Sequence, residues 1–153
     1  MQQFSVLISV YKFSNPFFFH EALLSIWDQQ TLKPTQIVLV KDGPITAELN
    51  KIINDWKVKL GEALTIVSLP RNMGLAKALN SGLKLCRYDL VARMDSDDLS
   101  LPDRFKKQIS YLSSHLDIDI CGTQIQERSN DLKRIVLNKI LPTEDDDLKN
   151  YLK

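Results

Sequence analysis

Cysteine is scarce, with only Cys86 and Cys121 in 153 residues. So few thiols argue against a disulfide-built scaffold, and neither has the CxxC or Cys/His surroundings of a zinc site. Both are expected as buried free thiols in a reducing compartment. Glycine is scarce too, with five residues, and none falls in a GxGxxG or GxxxxGK[ST] pattern, which disfavours ordinary dinucleotide sites and P-loops. An excess of one charge is also missing. The 20 basic and 19 acidic residues leave a net +1, which gives no reason to expect nucleic acid or a membrane surface as partner. No apolar run approaches the roughly 20 residues of a membrane-spanning helix. Met1-Gln2-Gln3-Phe4 lacks the basic-then-apolar pattern of a signal peptide. The expected setting is the cytoplasm. No repeat or low-complexity segment interrupts the chain.

What is present is an ordinary globular composition, 44% hydrophobic and 25% charged, at the length of one domain. Short apolar runs alternate with amphipathic ones. Strands are expected at Phe4–Val10, Gln36–Val40, Leu64–Leu69, Tyr88–Met94 and Ile118–Ile125, with a less clear one at Leu132–Leu141. Helices are expected at Pro16–Gln30 (Leu23, Leu24, Ile26 and Trp27 inward), Ala47–Leu60 (Leu49, Ile52, Ile53, Trp56 and Leu60 inward), Gly74–Leu85 (Leu75, Ala78, Leu79 and Leu83 on one face) and Pro102–Ser114. Thr143 is placed to cap a last, acidic helix start. Strands separated by helices imply parallel βαβ units, hence an α/β fold with helices on both faces of a mostly parallel sheet. Ligands in such sheets bind beyond the carboxyl ends of the strands. The segments there are Tyr11-Lys12, Lys41-Asp42-Gly43, Arg71-Asn72-Met73-Gly74 and Asp95–Asp98.

Asp95-Ser96-Asp97-Asp98 packs three carboxylates into four residues, which repel one another unless a cation or hydrogen-bond donors intervene. Oxygen-only ligands suit Mg²⁺ or Mn²⁺, with open positions left for phosphates. The plainer reading is a turn in which Asp98 or Ser100 caps the following helix. Asp42 stands where a carboxylate meets a ribose or base, or is simply an Asp-Gly turn. Tyr11 can stack on a base or plug the sheet edge. Arg71 and Lys77 flank Gly74 at a helix start, where backbone amides favour an anion, or are solvated surface cations. His20 and His115 are expected at the surface. Phe17-Phe18-Phe19 are expected as core and sheet cover, and the 144–147 acidic run as the complement of a helix N-terminus.

In order and spacing, SVLISVYK, IVLVKDGP, RNMGLAKALNSGL and LVARMDSDDLSLPDRF resemble the family-2 glycosyltransferases, most of all those that build bacterial exopolysaccharides of the amylovoran and colanic-acid kind. The resemblance covers nearly the whole chain and implies a GT-A fold, a nucleotide-diphospho-sugar donor (most often UDP-linked), a Mg²⁺ or Mn²⁺ ion and an inverting hexosyl transfer. The acceptor it implies is a saccharide, free or lipid-linked. Carried over by position, Val10 and Tyr11 line the base pocket and Asp42 holds the base or ribose. Arg71, Gly74 and Lys77 sit near the base or diphosphate. Asp95 and Ser96 approach the donor, and Asp97, with Asp95, meets the metal.

Two departures qualify this. Lys41 replaces the second acid that many relatives carry before the Asp-Gly. Family members are also longer, and their second half supplies the acceptor site and a general base. The resemblance therefore implies that residues 1–153 are the nucleotide-sugar-binding part of a larger GT-A domain whose base lies beyond residue 153. Such a part binds donor and transfers sugar poorly or not at all. It leaves room for peripheral association with the inner face of the plasma membrane. The competing readings are a non-catalytic nucleotide-sugar-binding module and a metal-dependent nucleotidyltransferase; the absence of glycine from Tyr11 to Pro16 argues against the latter.

Overall fold

The computed structural model describes residues 2–143 and 147. The backbone forms two units, Met1–Tyr111 and Leu112–Lys153. The first holds strands β1 (Ser5–Val10), β2 (Gln36–Lys41), β3 (Leu64–Ser68) and β4 (Val91–Met94), and helices α1 (Pro16–Ile26), α2 (Ala47–Leu60) and α3 (Leu75–Leu83). Helix α4 (Arg104–Ser114) begins in the first unit and ends in the second.

The four strands are parallel, in the order β3-β2-β1-β4. The runs VLI and IVLV are apolar at consecutive positions because both faces of β1 and β2 are covered. On one face Phe4, Val6, Ile8, Ile37 and Leu39 meet Phe19, Leu23 and Ile26 of α1, Leu49, Ile53 and Trp56 of α2, and Phe105 and Ile109 of α4. On the other, Leu7, Val38 and Val40 meet Ala78 of α3. Helices thus cover both faces, as the alternation of elements required. The order turns back after β3, so the chain crosses β1 to reach β4, and the crevice of such a sheet lies beyond the ends of β1 and β4.

Local chemistry sets the helix ends. The Asn15 side chain accepts from the amides of Phe17 (2.9 Å) and Phe18 (3.3 Å), with Pro16 opening α1. Thr46 caps α2 through the Leu49 amide at 3.2 Å. Glu48 in its first turn and Lys57 and Lys59 in its last complement the helix dipole. Helix α1 stops at Ile26, short of the expected Gln30, because the Gln29 amide folds back onto the Leu24 carbonyl at 3.1 Å.

Three expectations about packing are corrected. Leu75 and Leu83 of α3 are exposed, at 51% and 48%. The buried positions are Ala78 and Gly82, because small residues let this helix approach the sheet closely. A Cβ on Gly82 would lie 2.5 Å from both Leu7 Cδ1 and Val40 Cγ2. Of the three phenylalanines of α1, Phe19 is core, Phe18 half-buried and Phe17 exposed. Cys86 and Cys121 are free thiols, but half-buried rather than buried.

At the amino ends of the strands, Gln36 is a buried, fully engaged amide. Its Oε1 accepts from Ser5 Oγ (2.7 Å) and the Arg87 amide (2.9 Å). Its Nε2 donates to Thr65 Oγ1 and the Leu85 carbonyl, both at 3.0 Å. This ties together β1, β2, β3 and the segment leading into β4.

In the second unit the expected strand Ile118–Ile125 is not formed. Asp119, Gly122, Thr123 and Gln124 break up its apolar residues, and Ile120 is 87% exposed. Extended structure starts instead at β5 (Ile125–Arg128), which pairs antiparallel with β6 (Ile135–Lys139) in a separate hairpin. Strand β6 falls inside the expected Leu132–Leu141. The acidic run expected to start a last helix lies outside the described residues except for Asp147, which is helical.

Candidate functional site

The carboxyl ends of the four strands share one rim, and hydrogen bonds link the segments that leave them. The Asp42 amide donates to the Val10 carbonyl at 2.8 Å, joining the ends of β1 and β2. The Asp42 carboxylate accepts from the amides of Met73 (2.7 Å) and Gly74 (3.0 Å), joining β2 to the loop before α3. Beyond β1, Ser14 Oγ lies 3.3 Å from Ser96 Oγ and accepts from the Tyr11 amide at 3.2 Å, joining that loop to the acidic one after β4. Tyr11, Asp42, the Arg71–Gly74 loop and Asp95–Asp98 are therefore consecutive stations on one hydrogen-bonded rim. Val10 is buried beneath it, and Tyr11, 43% exposed, packs edge-on against Phe13 with ring centroids 5.9 Å apart.

Arg71 and Lys77 are exposed. The first intrahelical bond of α3 runs from the Ala78 amide to the Gly74 carbonyl, so the amides of Leu75, Ala76 and Lys77 have no intrahelical acceptor. That end of α3, with Arg71 and Lys77 about it, favours an anion. Asp42 is 5% exposed, with each oxygen already bonded to a backbone amide.

The acidic loop turns tightly, the Asp98 amide reaching the Asp95 carbonyl at 3.4 Å. Asp95 and Ser96 are half-buried, and Asp97 and Asp98 reach solvent. Asp95 is ion-paired with Arg93. The Asp98 carboxyl is pushed above its ordinary range, first by desolvation and then by the charges of Asp95 and Asp97, against the pull of Arg93 and Arg104. The loop thus sets three carboxylates close together, with Arg93 and Arg104 opposing their charge. Among the described residues no three acidic, histidine or cysteine side chains are grouped closely enough to hold a metal ion by themselves. The donor set is nonetheless all hard oxygen, which suits a Mg²⁺ or Mn²⁺ ion held by one or two carboxylates and completed by phosphate oxygens.

Three contributors escaped the sequence reading. Ser14 reaches Ser96 and was hidden by its ordinary place before a helix cap. Arg93 pairs with Asp95 from within β4. Gln30 lies far away in sequence yet holds the limb that descends from the acidic loop. Its Nε2 donates to the carbonyls of Ser25 (2.7 Å), Leu101 (2.9 Å) and Ser100 (3.3 Å). Thr31 Oγ1 adds bonds to the Pro102 carbonyl and Asp103, each at 3.1 Å. A polar residue just past a helix was the one available signal.

A parallel sheet whose strand order reverses beside β1, with an acidic loop beyond β4 and an anion-favouring helix start beyond β3, is the architecture of a GT-A sugar transferase. Residues 5–152 match the model of glycosyl transferase family 2, and the chain belongs to that family. It is 43% identical to the amylovoran biosynthesis glycosyltransferase of Erwinia amylovora over 148 residues, 97% of this chain and 54% of that protein. It is 38% identical to the UDP-Gal:alpha-D-GlcNAc-diphosphoundecaprenol beta-1,3-galactosyltransferase of Escherichia coli, over 82% of this chain and 44% of that one. The structure of S. aureus TarS 1-349 in complex with UDP-GlcNAc superposes with a TM-score of 0.64 at 26% identity, over 76% of this chain and 32% of that one. The chain spans about half the length of the two sequence relatives. The exopolysaccharide-type resemblance and the GT-A fold expected from the motifs both hold.

Proposed function

We propose that this chain is the donor-binding part of an inverting, metal-dependent glycosyltransferase of cell-surface polysaccharide synthesis. It takes a hexose from a nucleotide-diphospho-sugar, UDP-linked, and passes it to a saccharide acceptor, free or carried on a lipid. The observation that carries the reading is the single rim on which Tyr11, the Arg71–Gly74 loop and Asp95–Asp98 are tied together. The UDP-Gal named for the Escherichia coli relative and the UDP-GlcNAc bound in the S. aureus structure support the donor class.

In this reading Val10 and Tyr11 floor and flank the base. Arg71, Lys77 and the α3 amides from Gly74 onward meet the diphosphate, and Asp95 and Ser96 hold the ribose side of the donor. Asp97, with Asp95, holds the divalent ion, which when bound stabilises the negative charge of the departing nucleoside diphosphate. Arg93, now paired with Asp95, is a cation available to the phosphates when the ion takes its place. Deprotonation of the acceptor hydroxyl belongs to a carboxylate outside residues 1–153, so these residues alone bind donor without transferring sugar. Among the described residues no helix is long and apolar enough to cross a membrane. We place the protein in the cytoplasm, at the inner membrane face when the acceptor is lipid-linked.

Thermal stability tests this directly. UDP with Mn²⁺ at about a hundred times its dissociation constant should raise the melting temperature by roughly 5–10 °C. GDP and CTP should do less, and Asp97→Ala should abolish the metal-dependent part. No shift with any nucleotide would sink the proposal.

A further inference from the structure

The acidic loop has two stems. One is β4, whose last residue, Met94, is buried in the sheet. The other is the limb Leu99-Ser100-Leu101-Pro102, which runs down from the carboxylates toward α4 and belongs to no strand or helix. This limb is oriented against the hydropathy of its own sequence. Leu99 and Leu101 are 40% and 64% exposed, while Ser100 between them is 3% exposed. Apolar burial alone would turn the leucines in and the serine out.

Hydrogen bonds to the backbone set the orientation instead. The Ser100 amide donates to Ser25 Oγ at 3.0 Å, and the fully buried Ser25 hydroxyl in turn donates to the Ala22 carbonyl at 2.7 Å. One N–H of Gln30 Nε2 meets the Ser25 carbonyl at 2.7 Å, and the other is shared between the Leu101 and Ser100 carbonyls at 2.9 and 3.3 Å. Thr31 donates to the Pro102 carbonyl twice, from its amide at 3.0 Å and from Oγ1 at 3.1 Å. Ser100 Oγ makes no hydrogen bond among the described residues. The limb is thus gripped by its main chain, at three successive residues, from the carboxyl end of α1.

We infer that Ser25, Gln30 and Thr31 are positioning residues for the metal site, holding the second stem of Asp95–Asp98 so that its carboxylates stand ready for the divalent ion and the donor diphosphate. The inference rests on the donor-site reading above and deepens it. Neighbouring carboxylates push one another apart before an ion arrives. Arg93 offsets this at Asp95, and the Ser14–Ser96 contact at 3.3 Å steadies the crown of the loop. A stem free to swing would still let the carboxylates separate. Apparent ion affinity then falls by the fraction of time the loop is out of place. Tyr11 and the start of α3 follow β1 and β3 rather than this limb. Releasing the limb should therefore weaken the metal-dependent part of donor binding and spare the rest.

Isothermal titration calorimetry with UDP, once in Mn²⁺ and once in EDTA, reads that difference at a temperature where every variant is folded by circular dichroism. Gln30→Met should bind UDP about tenfold more weakly in Mn²⁺ and with unchanged affinity in EDTA. Thr31 is exposed, so its side chain can be changed with little risk to folding. Thr31→Val removes the Oγ1 bonds to Pro102 and Asp103 and should cost about threefold in Mn²⁺. Thr31→Ser keeps the hydroxyl and should restore the wild-type value. Gln36→Leu, which loosens the amino ends of the strands, should lower the melting temperature and leave both affinities in place. Wild-type affinity in Mn²⁺ for both Gln30→Met and Thr31→Val would overturn the inference. So would a loss that is equal in Mn²⁺ and EDTA, or one that Gln36→Leu reproduces. A wild-type chain that binds UDP no better in Mn²⁺ than in EDTA would instead remove the metal-site reading beneath it. Should Gln30→Met fold poorly, the Thr31→Val and Thr31→Ser pair carries the same comparison.

Discussion

Replacing Gln30 with methionine keeps the length and nearly the shape of the side chain and removes its amide. Four backbone groups then lose a partner: the carbonyls of Ser25, Leu101 and Ser100, and the Phe105 amide at 3.5 Å from Gln30 Oε1. Two of these bonds, at 2.7 and 2.9 Å, are short enough to count in full, and two are long. A buried polar group left unpaired costs about 1–3 kcal/mol, but a carbonyl with a second lone pair sits at the low end, so the sum is roughly 2–4 kcal/mol. The bonds that remain set the floor: Ser100 still donates its amide to Ser25 Oγ at 3.0 Å, and Thr31 to the Pro102 carbonyl at 3.0 Å. For a chain of this size each kcal/mol moves the melting temperature by about 2–4 °C, so the expected loss is roughly 5–15 °C by calorimetry. Gln30→Glu should be worse, because a carboxylate would face three carbonyl oxygens. A methionine variant that melts with the wild type, or a glutamate variant that melts above it, would refute the assignment of Gln30 as the tie between α1 and the limb below the acidic loop.

Two further outcomes follow from the packing and the charge. Gly82→Ala should destabilise by about 1–2 kcal/mol in urea titrations, because contact of the new methyl with Leu7 and Val40 outweighs the gain in helix propensity. Asp98→Asn should raise the metal-free melting temperature at neutral pH. The folded-state pKa of Asp98 lies above its unfolded value, so ionising it weakens the fold. That penalty is complete above the raised pKa and disappears below the unfolded value of 3.8. The advantage of the variant should therefore shrink as pH falls through that window, and an advantage that grows in acid would contradict it.

The legible parts of the fold were those where one residue type decides. Continuous apolar runs marked β1 and β2, because a strand covered on both faces has no polar alternation to confuse. Pro16 marked the start of α1, and the 3.6-residue apolar period from Leu49 to Leu60 marked α2. The face of α3 was misread because its contact rests on Ala78 and Gly82, whose smallness carries no hydropathy signal while the conspicuous leucines beside them stay exposed. Ile118–Ile125 was misread because alternation suggests a strand without saying whether a partner exists. At the site, residue types placed the acidic loop and the cations correctly after their strands. What Asp42 bonds to was invisible, since its partners lie near position 73 and only the fold brings them within reach. The same holds for Gln30 and Ser14.

The parallel sheet has a consequence for how such a chain can change. Because every strand points the same way, one rim receives all the loops that leave strands and the opposite rim all those that enter. Gln36 and its four partners occupy the entering side, while Tyr11, Arg71 and Asp95 to Asp98 occupy the other. Selection can therefore edit the ligand-facing loops one at a time against a backbone whose registration is secured elsewhere. Durability and variety are assigned to opposite ends of the same four strands. Asp42-Gly43 is the exception, a backbone fastening set among the ligand-facing loops.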